Sequence, residues 1–178
     1  MGPDIVYLPD REVDPSTDLA IRRLLTLCFG GEGDEVFKQR RYWKEPYPNR
    51  FVIRGPADTL IAHVGVHEKE VRSGDNRYRF GGIAEVCVHP DYRSRGYVRS
   101  MLTVIHPWLA ERGFVFSILF GNPKYYSSSG YEVITNLTMD DDPLQPGGRR
   151  HPATDVMVHA LGPTPWPKTE VYLPGLNF

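Results

Sequence analysis

The chain has 178 residues, of which 40% are hydrophobic and 24% are charged, as in an ordinary globular protein of one domain. Its 21 basic and 22 acidic side chains give a net charge of −1, which disfavours a nucleic-acid partner because proteins that bind DNA or RNA usually carry a basic excess. The N-terminal stretch lacks the basic and apolar regions of a secretory signal, and no apolar run has the length of a membrane span. We therefore expect a cytoplasmic protein with a single domain over residues 1–178 and no membrane partner.

Cysteine usage agrees with a reducing compartment. Cys28 and Cys87 are the two cysteines of the chain, and both lie inside apolar runs, "LLTLCFG" and "AEVCVHP". This pattern is typical of free buried thiols, although it leaves one buried disulfide open.

The first half of the chain contains one clear helix between predicted strands. "DIVYLP" predicts a short strand, and "DPSTDLAIRRLLTLCF" predicts a helix that Asp14 caps and Gly30 ends. "DEVFKQRRYW" predicts a second short helix, which the prolines of "EPYPNR" terminate. Three strand-like runs follow, "RFVIRG", "TLIAHVGVHEKEVRSG" and "YRFGGIAEVCVHP", with a hairpin turn at "SGDN" between the last two.

After these strands the hydrophobic period becomes helical. The apolar residues Val98, Met101, Leu102, Ile105 and Leu109 recur at steps of three and four, which predicts an amphipathic helix from Gly96 to Arg112. Pro107 should remove the backbone hydrogen bond to Thr103 and kink this helix.

The remaining third alternates strand-like runs with turns and loops. "FVFSILF", "YEVITNLTM", "ATDVMVHAL" and "EVYLP" predict strands, "NPKYYSSSG" predicts a short helix or turn, and "DDDPLQPGGRRHP" predicts a surface loop. The order of elements, with a strand–helix–strand unit in the middle, predicts a mixed sheet with helices on its faces.

The turn "HPDYRSRGYVRS" poses the main functional question. If Ile83–Val88 is a strand, the turn leads into the N-terminus of the predicted helix, whose first N–H groups have no intrahelical partner and favour anions. Gly96 would allow a ligand to approach the backbone, and Arg93, Arg95 and Arg99 would add positive charge. Taken alone, the turn is slightly better interpreted as a solvated basic loop.

A wider stretch, "VCVHPDYRSRGYVRSML", resembles the acetyl-CoA motif of the GNAT superfamily of N-acyltransferases. The matching positions are Val86, Val88 and Pro90 in the strand, Tyr92 and Arg93 as the aromatic–Arg pair, and Arg93, Gly96 and Val98 in the phosphate turn. Val98 departs from the pattern, which usually has Gly or Ala there. About thirty residues on, "NPKYYSSSGYEVI" resembles the second family signature at Asn122, Tyr126, Gly130 and Tyr131. The resemblance covers roughly residues 50 to 138.

This resemblance implies an α/β (α+β) fold with a single mixed, mostly antiparallel central sheet of six to seven strands flanked by helices. It also implies an acetyl-CoA-dependent N-acetyltransferase that uses coenzyme A as carrier and acts on the primary amine of a small, aminoglycoside-like molecule. We expect no metal in the site, and a homodimer remains an open alternative to a monomer. The implied cofactor-binding residues are Val86, Cys87, Val88, Arg93, Ser94, Arg95, Gly96, Tyr97, Val98 and Asn122. Tyr126 is the implied general acid, which would protonate the leaving thiolate.

The general base is less well defined by the sequence. Glu85 is the one ionisable side chain in an apolar strand, where a carboxylate is costly unless it is used or paired. It lies one residue from the expected position of a base, so a general base and a partner for an Arg or Lys on a neighbouring strand remain equal alternatives. His63 and His67 share a strand face and suit a structural or substrate-contact role better than a metal site. The acidic segments Gly30–Glu35 and Asp140–Asp142 would suit a cationic amine, but are better interpreted as solvated loops.

Three other functions remain in competition. One is transfer of a longer acyl chain, which the volume of the pocket beyond the thioester would distinguish. Another is a sensor module that binds acyl-CoA without turnover, which retention of both Tyr126 and Glu85 disfavours. The third is a nucleotide-binding protein, disfavoured because the chain lacks G-x-x-x-x-G-K-[ST] and a G-x-G-x-x-G after a strand.

Overall fold

The computed structural model describes residues 3–31 and 34–178. Within them, ten β-strands and three α-helices form, together with several short 3-10 turns. The chain divides into two compact units, the first made of Met1–His67 and Ala84–Ile105, and the second of Glu68–Ile83 and His106–Phe178. Two strands, β3 (Leu60–Ser73) and β4 (Asn76–Val88), and the helix α2 (Tyr97–Ala110) contribute residues to both units.

The first unit packs one helix against antiparallel strands. β1 (Ile5–Pro9) pairs with β2 (Asn49–Arg54), which pairs with the first half of β3. The helix α1 (Pro15–Phe29) begins where the Asp14 carboxylate accepts the Thr17 N–H at 2.7 Å. Its apolar side faces a core of residues from the helix and the strands, namely Ile21, Leu24, Leu25, Val52, Leu60 and Cys87.

The second unit contains the larger part of the sheet. Its remaining elements are β5 (Phe116–Phe120), α3 (Pro123–Tyr126), β6 (Glu132–Val133), β7 (Leu137–Asp140), β8 (Arg150–Pro152), β9 (Val156–Ala160) and β10 (Val171–Leu173). The strand order is β6-β9-β5-β4-β3-β10-β7-β8. β4 with β5 and β7 with β10 are parallel pairs, whereas β3–β10, β5–β9, β6–β9 and β7–β8 are antiparallel. Burial of the apolar faces of these strands forms a second core.

The mixed, mostly antiparallel sheet with helices agrees with the predicted fold class, and most predicted elements are present. Three details differ. The predicted helix "DEVFKQRRYW" is a single 3-10 turn over Asp34–Lys38, "YEVITNLTM" divides into β6 and β7, and the predicted loop contains β8, so the described residues form ten strands rather than six to seven. α2 runs through Pro107 to Ala110. No helix in the described part of the chain has the length and apolar character needed to cross a bilayer.

Candidate active site

The turn between β4 and α2 exposes a row of backbone donors. Pro90–Tyr92 form a 3-10 turn, and two residues then adopt a positive φ, Ser94 at 61° and Gly96 at 74°. Among the described residues, the N–H groups of Ser94 to Arg99 have no hydrogen-bond acceptor, and the first N–H that returns to the chain is that of Ser100, which donates to the Gly96 carbonyl at 3.0 Å. We call the segment Ser94–Arg99 the N–H cradle. Alternation of left- and right-handed backbone beside a helix N-terminus is typical of sites that bind oxyanions.

Gly96 keeps the centre of this cradle open. A Cβ built on Gly96 would meet no atom within 4 Å, so the space beside its backbone is unfilled. Its φ of 74° is also one that residues with a side chain rarely adopt. Val98, at the position where the sequence departs from the family pattern, lies half-buried in the first turn of α2. The backbone amides before it are therefore accessible in spite of that departure.

Exposed arginines surround the cradle and are held by local contacts. Arg93 Nε donates to the Val88 carbonyl oxygen at 3.2 Å, and Arg95 donates to the Asp91 carbonyl oxygen at 3.1 Å. The Arg95 guanidinium also lies 5.0 Å from the centre of the Tyr92 ring. Among the described residues, no acidic side chain forms a salt bridge with Arg93, Arg95 or Arg99, so the turn keeps its attraction for an anion such as a pyrophosphate.

The end of β4 leads directly into this turn. The Val88 carbonyl oxygen accepts hydrogen bonds from both Arg93 and the Cys28 thiol, and the His89 N–H donates to the Ile61 carbonyl oxygen at 2.7 Å. Val86 and Val88 are half-buried, and Cys87 between them is buried. The predicted cofactor residues of β4 and of the turn therefore all lie in the first unit and follow one another without a break.

Glu85 interrupts the extended backbone of β4. Its φ of 43° is left-handed, as at a β-bulge, so the alternation of faces that made its orientation ambiguous in the sequence does not hold here. The Trp43 N–H donates to Glu85 Oε1 at 3.1 Å, while Oε2 is buried without a hydrogen-bond partner among the described residues. Burial raises the pKa of the Glu85 carboxyl above its ordinary value. The Tyr47 hydroxyl, the Trp43 N–H and the Arg50 charge oppose this shift of the pKa without cancelling it.

The contacts of Glu85 weigh against its being one half of an ordinary ion pair. No basic side chain forms a salt bridge with Glu85 in the part of the chain that the structure describes. The buried guanidinium of Arg50 instead pairs with Asp10, which also accepts two hydrogen bonds from Arg41 at 2.7 and 2.8 Å. Arg50 therefore acts on Glu85 through its charge, and the carboxylate keeps one oxygen available.

Two further side chains, those of His63 and Tyr47, lie beside Glu85. His63 is fully buried, and its Nδ1 lies 2.9 Å from the Glu85 carbonyl oxygen while Nε2 lies 3.4 Å from Arg50. Burial and the Arg50 charge lower the pKa of His63 to about 3, so a neutral ring donates from Nδ1 and accepts at Nε2. The Tyr47 ring occupies the space beside Gly65, where a Cβ would approach it to 2.5 Å. Both ring nitrogens of His63 are thus engaged within the chain, which fits the structural one of the two roles, structural or substrate contact, that the sequence favoured over a metal site.

Tyr47 and Arg50 could not be recognised as site residues from the sequence. Each lies more than thirty residues from Glu85, and nothing in "EPYPNR" distinguishes a buried tyrosine and arginine from exposed ones. A single polar residue in the apolar strand β4 was the available signal, and it identified Glu85 alone.

The second signature lies in the second unit. Asn122 caps α3, where its side-chain oxygen accepts the Lys124 N–H at 2.9 Å. The half-buried Tyr126 ring packs over Gly121, where a Cβ would come within 2.6 Å of it. Because Gly121 has no side chain, the Tyr126 ring can lie against its backbone.

Tyr131, the last residue of the second signature, is a buried aromatic. It is 2% exposed, and its hydroxyl lies 2.6 Å from Ser117 Oγ and 3.0 Å from His106 Nε2. The rings of His106 and His159 stack with their centres 4.1 Å apart. Burial raises the pKa of Tyr131, so its hydroxyl stays protonated and acts as part of a buried hydrogen-bond network.

The acidic segments have local roles where they are described. Asp140 is buried and accepts hydrogen bonds from the Tyr172 hydroxyl and from the N–H groups of Gly147 and Gly175. Asp142 accepts the Leu144 N–H at 2.9 Å, which closes a turn. The expectation of a solvated loop is therefore wrong for Asp140. In Gly30–Glu35, residues 32 and 33 lie outside the described part of the chain.

Comparison with known proteins defines the family. Residues 11–134 match the family model of the acetyltransferase (GNAT) domain. The match spans more than half of the chain and contains the cradle, Glu85 and Tyr126. The chain belongs to the GNAT acetyltransferase family, as the two sequence motifs predicted. A search of curated proteins finds no match.

Solved structures share the fold at low sequence identity. The GNAT family N-acetyltransferase YhbS from Escherichia coli, in complex with CoA, is 18% identical with a TM-score of 0.67 over 97% of this chain and 91% of its own. A GNAT acetyltransferase from Brucella melitensis, in complex with acetyl-CoA, is 14% identical with a TM-score of 0.60 over 96% of each chain. An aminoglycoside 6'-N-acetyltransferase complexed with coenzyme A is 13% identical with a TM-score of 0.60 over 90% of this chain and 99% of its own. The GNAT-like fold that the sequence predicted is thereby confirmed.

Proposed function

We propose that this protein is an acetyl-CoA-dependent N-acetyltransferase that transfers the acetyl group directly to the primary amine of a small molecule, and that residues 1–178 form one catalytic domain. The observation that carries the proposal is the N–H cradle, with its row of unpaired backbone donors at the N-terminus of α2. Acetyl-CoA, when bound, supplies an acetyl group activated as a thioester.

The cradle would hold the pyrophosphate of the cofactor. Its N–H groups supply hydrogen bonds, Gly96 leaves the space beside the backbone open, and Arg93, Arg95 and Arg99 supply charge. Cys87 and Tyr97 would contribute through their backbone, while Val86 and Val88 at the end of β4 would bind the pantetheine arm. Asn122 keeps its side-chain NH2 for a ligand, because its use as a cap engages the oxygen alone.

Glu85 would act as the general base. An amine attacks as the neutral species, so a group must take the proton from its ammonium form, directly or through a water molecule. Glu85 Oε2 is a buried acceptor without a partner among the described residues, and the raised pKa of this carboxyl increases its affinity for a proton. These two features favour a base over the structural alternative.

Tyr126 would act as the general acid that protonates the departing thiolate. Support comes from its place in the second signature and from the close packing of its ring against Gly121. Exposed Tyr125 beside it has 66% of its surface accessible and provides a matched control.

The acceptor would be a small cationic amine, with an aminoglycoside as the first candidate. Support for this class is fold-level similarity to the aminoglycoside 6'-N-acetyltransferase, at 13% identity. The acidic segment Asp140–Asp142 does not support it, since Asp140 and Asp142 accept hydrogen bonds within the chain.

The test is a thiol-release assay with acetyl-CoA against aminoglycosides, polyamines, amino acids and peptides, with mass analysis of the product amine. We expect release above the hydrolysis background with at least one amine. Tyr126→Phe should lower kcat at least tenfold with little change in the Kd of acetyl-CoA, whereas Tyr125→Phe should resemble the wild type. Wild-type kcat in Tyr126→Phe would remove this residue from the mechanism.

The same assay distinguishes the competing functions. Turnover with octanoyl-CoA or palmitoyl-CoA and none with acetyl-CoA would favour a long-chain N-acyltransferase. Tight binding of acetyl-CoA in calorimetry, with no turnover for any amine, would favour a sensor module. Absence of any binding to CoA would refute the cradle.

A further inference from the structure

The two cysteines of the chain meet inside the first unit. Cys28 lies in the last turn of α1 and is half-buried, while Cys87 lies on β4 and is 6% exposed. Cys28 Sγ lies 3.4 Å from the carbonyl oxygen of Val88, the residue that follows Cys87, and both cysteines pack in the same apolar cluster. Residues 28 and 87 are brought together because the apolar side of α1 packs against a core that includes Cys87.

The surroundings make the two thiols unequal. The neighbouring Cys87 thiol, followed by the positively charged Arg93, lowers the pKa of Cys28 against the opposing effect of partial burial. The neighbouring Cys28 thiol, together with burial and the Glu85 charge, raises the pKa of Cys87. One partner is therefore a partly exposed nucleophile and the other a protected thiol, as in pairs where one sulfur attacks and the other resolves.

We propose that Cys28 and Cys87 form a redox-active pair in which Cys28 reacts with a hydroperoxide and Cys87 resolves the product to a disulfide. With hydrogen peroxide, the Cys28 thiolate attacks one peroxide oxygen, the O–O bond breaks, and the leaving hydroxide takes up one proton to become water; Cys28 becomes a sulfenic acid. The Cys87 sulfur then attacks the Cys28 sulfur, the S–OH bond breaks, and its proton leaves with the hydroxide as a second water. Two thiols are oxidised and one peroxide is reduced.

The pair would act on the end of β4. Cys28 donates its S–H to the Val88 carbonyl oxygen, and a disulfide has no such proton to donate. Oxidation would therefore leave Arg93 as the side-chain donor to that oxygen, at the point where β4 enters the turn. The chemistry of the pair does not depend on the proposed acetyl transfer.

The test uses the full chain, reduced, freed of reductant and titrated with hydrogen peroxide. Remaining thiols are then blocked with N-ethylmaleimide and the intact mass and peptides are measured. We expect the mass to fall by two hydrogen atoms, both thiols to resist the maleimide, and dithiothreitol to reverse both changes. Cys87→Ser should instead accumulate a sulfenic acid on Cys28 that dimedone traps, and Cys28→Ser should leave Cys87 unmodified.

Alkylation rates test the asymmetry independently. With iodoacetamide, Cys28 in Cys87→Ala should react faster than Cys87 in Cys28→Ala by at least tenfold at neutral pH, since Cys28 keeps its greater exposure and the positive charge of Arg93 after the partner thiol is removed. Two free thiols after peroxide, a sulfinic acid on Cys28 with Cys87 still free, or an intermolecular disulfide would each overturn the proposal. None of these readouts uses enzymatic turnover, so failure here is distinct from failure of the proposed function.

Discussion

Tyr131 gives the sharpest quantitative test of the second unit. Its hydroxyl lies 2.6 Å from Ser117 Oγ, which is itself fully buried, and 3.0 Å from His106 Nε2. Tyr131→Phe keeps the ring and removes these contacts, which leaves the Ser117 hydroxyl without a partner. An unsatisfied buried polar group costs about 1–3 kcal/mol, so we expect the free energy of unfolding to fall by about 2 kcal/mol.

A double-mutant cycle isolates this contact. Ser117→Ala removes the stranded hydroxyl, so Tyr131→Phe should cost at least 1 kcal/mol less in the Ser117→Ala background, by about the penalty for an unpaired group. Urea denaturation of the four proteins measures the cycle, with the exposed Tyr125→Phe expected to stay within about 0.5 kcal/mol of wild type. The buried network would be refuted if Tyr131→Phe lowered the free energy of unfolding by less than about 0.5 kcal/mol, or if the losses of the two single variants added up to that of the double variant.

Three further predictions concern the first unit. Gly96→Val should weaken CoA binding in calorimetry by at least tenfold, because a side chain enters the open cradle at a φ of 74°. The control is Gly74→Val, which has a similar backbone and open space and should not weaken binding. Equal CoA affinities of Gly96→Val and the wild type would contradict the cradle. Glu85 must be deprotonated to act as a base, so kcat should fall as the pH drops through the pKa of Glu85, which lies above the ordinary 4.5. If Glu85→Gln shows the same fall of kcat at low pH, Glu85 is not the general base. Asp14→Ala removes the cap that accepts the Thr17 N–H and should cost about 1 kcal/mol in urea denaturation, whereas an unchanged midpoint would mean that α1 does not depend on it.

Elements with local determinants were predictable from the sequence. α1 begins after Asp14 and ends at Gly30 as expected, because the cap and the terminating glycine act within a few residues. The turn before α2 was likewise predictable, since Gly96 and the helical period that follows are local features.

Features that depend on distant contacts were not predictable in this way. The sequence after Lys38 favours a helix, but this segment is not helical, and Arg41 forms ion pairs with the distant residues Asp10 and Asp18. The burial of Glu85 likewise depends on Tyr47 and Arg50, which reach it through tertiary packing. Local propensities do not depend on contacts between distant residues. Glu85 could therefore be identified from the sequence, whereas its neighbours Tyr47 and Arg50 could not.

The contact between Gly65 and Tyr47 has a consequence for how this sequence can change over time. A methyl group at position 65 would overlap the Tyr47 ring at 2.5 Å, and that ring stands beside Glu85. Substitution at 65 is therefore tolerable only together with a smaller residue at 47, so the two positions should covary among related chains. A related chain with alanine at 65 and tyrosine still at 47 would show that the ring can move aside, and the two positions would then not need to covary.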